Sequence, residues 1–165
     1  MKVIGIVGSP RKNGNTELLT RHTLKAISEE GLDTELIRLA GLEIKPCTAC
    51  MACKKQETCS IEDDLFPIYL KMKEADGIIL ASPVYYGSAT ALIKGLMERA
   101  GYIARWNGEP FQGKVGGGIG GGTAFRAELH PCSTHLLVSD SGVLHSRFYV
   151  LEYGGRPGKR RSGTG

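Results

Sequence analysis

Lys2-Val-Ile-Gly-Ile-Val7 runs straight into Gly8-Ser-Pro-Arg-Lys-Asn-Gly-Asn-Thr16, after which Leu18, Leu19, Thr23, Leu24 and Ile27 recur at helical spacing as far as Gly31. A β-branched strand, a polar glycine-bearing turn and a helix, in that order, form the opening unit of an α/β fold. The rhythm then repeats along the chain. Thr34–Leu39 alternates polar and apolar residues, as a strand near a sheet edge does. Ile61-Glu-Asp-Asp64 opens a helix carrying Leu65, Ile68, Tyr69 and Met72, with Asp63 and Asp64 read as helix-start acids. Gly77–Ser82 is continuously apolar, the mark of a central parallel strand covered on both faces. Pro83–Ser88 reads as a turn, Thr90–Tyr102 as a helix, and Lys114–Ile119 as a fourth strand weakened by its glycines. A fifth strand is expected at Val143–Val150. Strand and helix alternating in this way predict a doubly wound parallel sheet with right-handed crossovers.

Ligands of such sheets lie beyond the carboxyl ends of the strands, at the topological switch point. The turns at 8–16 and 83–88 follow strands one and three, so both belong at that end. Amides at a helix start, the hydroxyls of Ser9 and Thr16, the side-chain amides of Asn13 and Asn15 and the guanidinium of Arg11 suit a phosphate. The turn lacks G-x-x-x-x-G-K-[ST], which argues against a P-loop nucleotide hydrolase, and lacks G-x-G-x-x-G, which argues against a Rossmann dinucleotide site. Helix capping alone would account for Thr16 but not for Arg11, Asn13 and Asn15 together. The second turn, Pro83-Val84-Tyr85-Tyr86-Gly87-Ser88, offers flat rings and backbone donors to a heterocycle. Composition alone leaves Tyr85 and Tyr86 equally suited to packing.

Between those turns, Cys47-Thr-Ala-Cys50-Met-Ala-Cys53-Lys-Lys-Gln-Glu-Thr-Cys59 holds four of the chain's five cysteines. Sulfurs this close in sequence converge on one centre with little loop-closure cost. The two-residue intervals match the start of a ferredoxin ligand run, and with no second run Cys59 must close the same site, which reads as one [4Fe–4S] cluster. Structural zinc more often uses two separated cysteine pairs, and disulfides are rare in a reducing interior. Cys132, apart from the run, reads as a small buried or loop residue.

The length of 165 residues suits one domain with a proper core. Hydrophobic content of 41% and charged content of 23% are ordinary for a globular protein, and no apolar run approaches the roughly 18 residues of a membrane span. The net charge of +4 is carried by Arg156, Lys159, Arg160 and Arg161, which leaves the body neutral and without a nucleic-acid face. We therefore expect a domain over 1–150 with a cysteine loop at 46–60, a disordered basic tail over 151–165, and no nucleic-acid or membrane partner. An odd cysteine number and the lack of a signal-like opening give a cytoplasmic expectation.

Gly8–Thr16 resembles the FMN phosphate loop of the NAD(P)H-dependent FMN reductase group. Ser82–Ser88, with Ala91-Leu-Ile-Lys94 and Met97-Glu-Arg99, is similar to that group's second signature. The compact cysteine run between them resembles its iron–sulfur flavoprotein branch. The resemblance covers roughly residues 1–120 and implies a flavodoxin-like sheet of order 2-1-3-4-5. It further implies FMN, with its phosphate on Ser9, Arg11, Asn13, Asn15 and Thr16 and its ring against Pro83, Val84, Tyr85, Tyr86, Gly87 and Ser88. Cys47, Cys50, Cys53 and Cys59 become cluster ligands. Also implied are a dimer or tetramer in which a cluster lies close to a neighbour's flavin, and a one-electron carrier such as ferredoxin as partner. The carboxyl end departs from the pattern: the glycine-rich stretch at 116–123 stands where a third flavin loop belongs, and glycine and proline dominate 152–165 in place of an amphipathic helix. A shortened variant covered by a partner subunit and a frame shift near 120 are the two explanations. Two rival functions remain: a nicotinamide-dependent FMN or quinone reductase with a zinc clip at the cysteines, and a non-enzymatic metal or redox sensor.

Overall fold

Strands buried on both faces need helices on both faces, and the computed structural model supplies them. The structure describes residues 1–122 and 150–154. In chain order the elements are β1 (Lys2–Val7), α1 (Asn15–Glu29), β2 (Asp33–Arg38), a 3-10 turn (Ala52–Lys54), α2 (Leu65–Glu74) and β3 (Gly77–Tyr85). Then come β4 (Ser88–Ala89), α3 (Ala91–Trp106), β5 (Val115–Gly122) and β6 (Val150–Gly154). The sheet order is β2-β1-β3-β5-β6, with β4 paired only to β3. With that two-residue strand set aside, this is the expected order, and every pairing along it is parallel.

Alternation of side chains along each strand divides the core in two. Ile4, Ile6 and Ile78 face α2 and α3, packing with Leu65, Tyr69, Met72, Ile93, Leu96 and Ile103. Val7, Ile79, Ala81 and Ile119 face the other way and pack with Leu24 of α1. The close seating of α1 requires Gly5, since a Cβ there would stand 2.8 Å from Thr20 Cγ2 and 2.9 Å from Leu24 Cδ1.

Two expectations change. The stretch read as a turn at 83–88 is mostly strand: β3 continues to Tyr85, and a two-residue hairpin pairs Val84 with Ala89 and Tyr85 with Ser88. Its central residues, Tyr86 and Gly87, both have positive φ (50° and 75°), the requirement of a type I′ turn. The helix expected from Ile61 begins at Leu65, because Asp63 and Asp64 are engaged elsewhere. The expected fifth strand lies outside the described residues except for Val150, where β6 begins. That strand carries the chain past residue 150 on the far side of β5. Cys132 and the residues from 155 onward also lie outside the described residues.

Candidate functional site

The carboxyl ends of β1, β3 and β5 meet at one edge of the sheet, and buried hydroxyls tie them together. The Gly8 amide donates to the Ala81 carbonyl at 2.7 Å. Thr90 Oγ1 donates to the Gly8 carbonyl at 2.7 Å, while the Thr90 amide donates to Ser82 Oγ at 3.0 Å. The approach is so close that a Cβ on Gly8 would lie 2.7 Å from Ile93 Cβ, and one on Gly121 would lie 2.8 Å from Thr16 Oγ1. Gly121 therefore brings the glycine-rich strand against the first loop, the place the sequence assigned to a third flavin loop.

Within the first loop, α1 starts after Gly14 with no side-chain cap, so its leading amides remain available to an anion. Thr16 is not the cap that simple helix capping would make it. Ser9 and Thr16 are buried beneath the loop, with Ser9 Oγ accepting the Arg11 amide at 3.2 Å, while Arg11, Asn13 and Asn15 stand exposed around the helix start. Asn13 is held at a φ of 55° by Glu17, whose Oε2 accepts the Asn13 amide at 2.9 Å. Glu17 is 1% exposed, and its Oε1 accepts from Arg21 Nη2 at 2.9 Å and from Arg38 Nε at 2.8 Å. Burial alone would push this carboxyl up, but the Asn13 amide and the two guanidinium groups hold it below the ordinary carboxylate value. The sequence reading passed over Glu17, although an acid three residues after a helix-start glycine is a capping-box position.

On the second loop, Tyr85 is 44% exposed and the Tyr86 ring is fully exposed, so neither is a core residue. Pro83, Val84 and Ser88 are half-buried behind them. The outcome is an aromatic-rimmed edge beside a helix start whose leading amides carry no side-chain cap.

The four cysteines of the run line a single cavity of about 60 Å³ that rests on Arg99, Tyr102 and Ile103 of α3. All four thiols are free. The backbone folds tightly here, with Ala49 and Met51 both left-handed at φ of 54° and 61°. The Ala49 amide donates to Cys47 Sγ at 3.4 Å, and Cys50 Sγ meets the Ser60 hydroxyl at 3.0 Å. That hydroxyl leads the effects holding the Cys50 thiol below its ordinary value. Burial and the nearby charges of Cys47, Cys50 and Cys59 push the Cys53 thiol up, so four thiolates here call for a cationic centre to neutralise them. Among the described residues, no three His, Cys, Asp or Glu are placed to hold one metal ion. Four sulfurs around a shared cavity fit a polynuclear centre better than a zinc clip, whose donors must all lie about 2.3 Å from one point.

Asp63 is not merely a helix-start acid. It does accept the Leu65 amide at 3.1 Å, but it also accepts the Lys45 amide at 2.9 Å and pairs with the buried guanidinium of Arg99. Asp64 accepts the Glu43 amide at 2.7 Å, which ties down the loop before the cysteines. In the sequence Arg99 enters only within the stretch Met97-Glu-Arg99 that resembles the family's second signature, with no role of its own. Its place on the apolar stripe with Leu96 and Ile103 was the available signal for a buried charge.

A doubly wound parallel sheet with an uncapped helix start and an aromatic rim at its carboxyl edge defines a flavodoxin-like fold. The chain belongs to the NADPH-dependent FMN reductase family, whose pattern matches residues 1–145. FMN is thus its cofactor. An iron–sulfur flavoprotein of Methanocaldococcus jannaschii is 52% identical over 124 residues, covering 75% of this chain and 63% of that protein. One from Methanosarcina thermophila is 44% identical over 107 residues, covering 65% and 56%. The chain thus spans about three-fifths of the length of these curated relatives. Among solved structures, an NADH:FMN oxidoreductase in its apo form aligns with a TM-score of 0.67 at 21% identity, covering 93% of this chain and 74% of that one. An archaeal flavodoxin aligns at 0.60 and 17%, covering 96% and 87%; at such identities these two speak for the fold. Among the described residues no helix is long and apolar enough to cross a membrane.

Proposed function

We propose that this chain is an electron-transfer flavoprotein that carries one [4Fe–4S] cluster beside its FMN. The observation that carries the reading is the pairing of two sites on one helix. The start of α3 helps build the flavin edge through Thr90, and its later turns floor a cavity lined by four free cysteines. Ser9, Arg11, Asn13, Asn15 and Thr16 would bind the FMN phosphate, and residues 83–88 would flank the ring. Cys47, Cys50, Cys53 and Cys59 would ligate the cluster, as the name of the archaeal relatives suggests. A cluster moves single electrons and FMN holds one or two, so the pair would join a one-electron carrier such as ferredoxin to an acceptor.

The protein's own residues bind, orient and insulate. Ser82, Thr90 and Gly8 lock the two flavin loops into one edge, and Glu17 fixes the loop that cradles the phosphate. Arg99 lies nine residues beyond Thr90, about 14 Å along the helix at 1.5 Å per residue. A homo-oligomer in which a cavity meets a neighbour's flavin edge would offer the electron a second route besides this one. Tyr102, which lines the cavity and is 46% exposed, stands ready at such a contact. The test is Cys53→Ser. It should abolish iron and sulfide content while FMN stays bound at the wild-type level; loss of both cofactors at wild-type thermal stability would contradict two separate sites.

A further inference from the structure

Arg99 is the one charged side chain lining the cysteine cavity among the described residues, and it is 2% exposed. A guanidinium is costly to bury even when paired, and an aliphatic side chain at this point on the apolar stripe of α3 would avoid that cost. Its donors are fully committed. Nε and Nη2 both reach Cys59 Sγ, at 3.4 and 3.2 Å. Nη2 also donates to the Ile61 carbonyl at 3.1 Å and to Asp63 Oδ1 at 3.0 Å. Nη1 reaches the Lys45 carbonyl at 3.1 Å and Asp63 Oδ2. One side chain therefore joins the chain before the run, at Lys45, to the chain after it, at Ile61 and Asp63, and it places a positive charge directly on one sulfur. The other sulfurs are treated differently: Cys47 receives a backbone amide and Cys50 meets a neutral hydroxyl.

From this arrangement we infer that Arg99 is a positioning and tuning residue for the cysteine-held cluster: it fixes Cys59 as a ligand and raises the cluster's reduction potential through its two N–H···S hydrogen bonds. The inference rests on the reading of the four cysteines as cluster ligands. An electron taken up by such a centre adds negative charge, part of which falls on the ligand sulfurs. Donors already aimed at a sulfur therefore stabilise the reduced state more than the oxidised one, and a charged donor does so most. The step is one electron in from a one-electron carrier, which is oxidised by one, and no proton moves, because a guanidinium stays protonated throughout. Asp63 balances the cation, so that the pair adds a directed dipole and little net charge.

The test compares wild type, Arg99→Lys and the double variant Arg99→Met/Asp63→Asn, which removes both buried charges together. Each is purified anaerobically with FMN bound and titrated potentiometrically. In the double variant the ratio of reduced to oxidised cluster at a fixed potential should fall at least tenfold, equivalent to about 59 mV for one electron. Arg99→Lys should fall in between, and flavin content should stay at the wild-type level. Variants with a full cluster and an unchanged potential overturn the inference. Pulsed EPR of the reduced wild-type protein carrying ¹⁵N-labelled arginine gives a check that needs no variant. Coupling to an arginine nitrogen is expected, and its absence overturns the inference even if the variants do not fold. Wild-type protein with flavin but no iron or sulfide would instead bring down the cluster reading itself, and this inference with it.

Discussion

Gly121 and Glu17 do at the residue scale what no motif in the chain advertises. Gly121 carries no chemistry of its own, but a Cβ there would meet Thr16 Oγ1 at 2.8 Å, so its absence lets the end of β5 close on the loop at 8–16. Gly121→Ala should therefore weaken FMN binding by about tenfold, equivalent to about 1.4 kcal/mol. Gly117→Ala is the matched control, because its Cβ would make only an ordinary contact with Ile79 at 3.6 Å. Fluorescence titration of apoprotein with FMN reads both, and equal affinities would contradict the account. Glu17 gives a pH signature whose sign follows from its lowered value in the fold. Its contribution is complete above the ordinary carboxylate range and is lost as the pH falls through the lower folded value. Melting temperature should thus drop on acidification in wild type and fall less steeply in Glu17→Gln, which starts lower at neutral pH. Parallel curves would show that Glu17 contributes nothing of this kind.

At the scale of elements, the hairpin after β3 stores strain in the position that function would use. Tyr86 sits at a φ of 50°, a conformation costly for an aromatic residue, and its ring gains no packing in return. Tyr86→Gly should raise stability by about 1 kcal/mol while lowering FMN affinity, read by thermal melts and flavin titration of the same samples. Gain in both would assign the ring no part in the site. The hairpin also shows why the sequence reading faltered here: proline, tyrosine and glycine in succession look like a loop, whereas β3 runs past the end of its pairing with β1 at Ala81 and so accommodates Pro83 while still paired to Gly121 of β5. β5 is a similar case. Its glycines argue weakly for a strand on propensity, but parallel pairing to β3 from Gly77–Val115 to Pro83–Gly121 decides the matter. Propensity yields to tertiary context in both elements.

Across the whole molecule, the elements from β1 to α3 were legible because each carries a strong period and a clear stop. The loop at 8–16 stood out because a strand-to-helix turn that gathers Arg11, Asn13 and Asn15 is not explained by capping. What stayed hidden were long-range relations with no local trace: Glu17 gathering Arg38 from β2, and Arg99 reaching across from α3 to Asp63 and Cys59. The cysteine run was visible at once, but its meaning depends on the fold, since α3 joins the cavity to the edge formed by the loops at 8–16 and 83–88. The most direct test of a two-cofactor protein is its absorption spectrum after anaerobic purification, taken together with iron and sulfide assays. Flavin bands over a broad shoulder at about 400 nm, with about four irons and four sulfides per chain, are the expected result. Flavin bands alone, with neither iron nor sulfide, would contradict it.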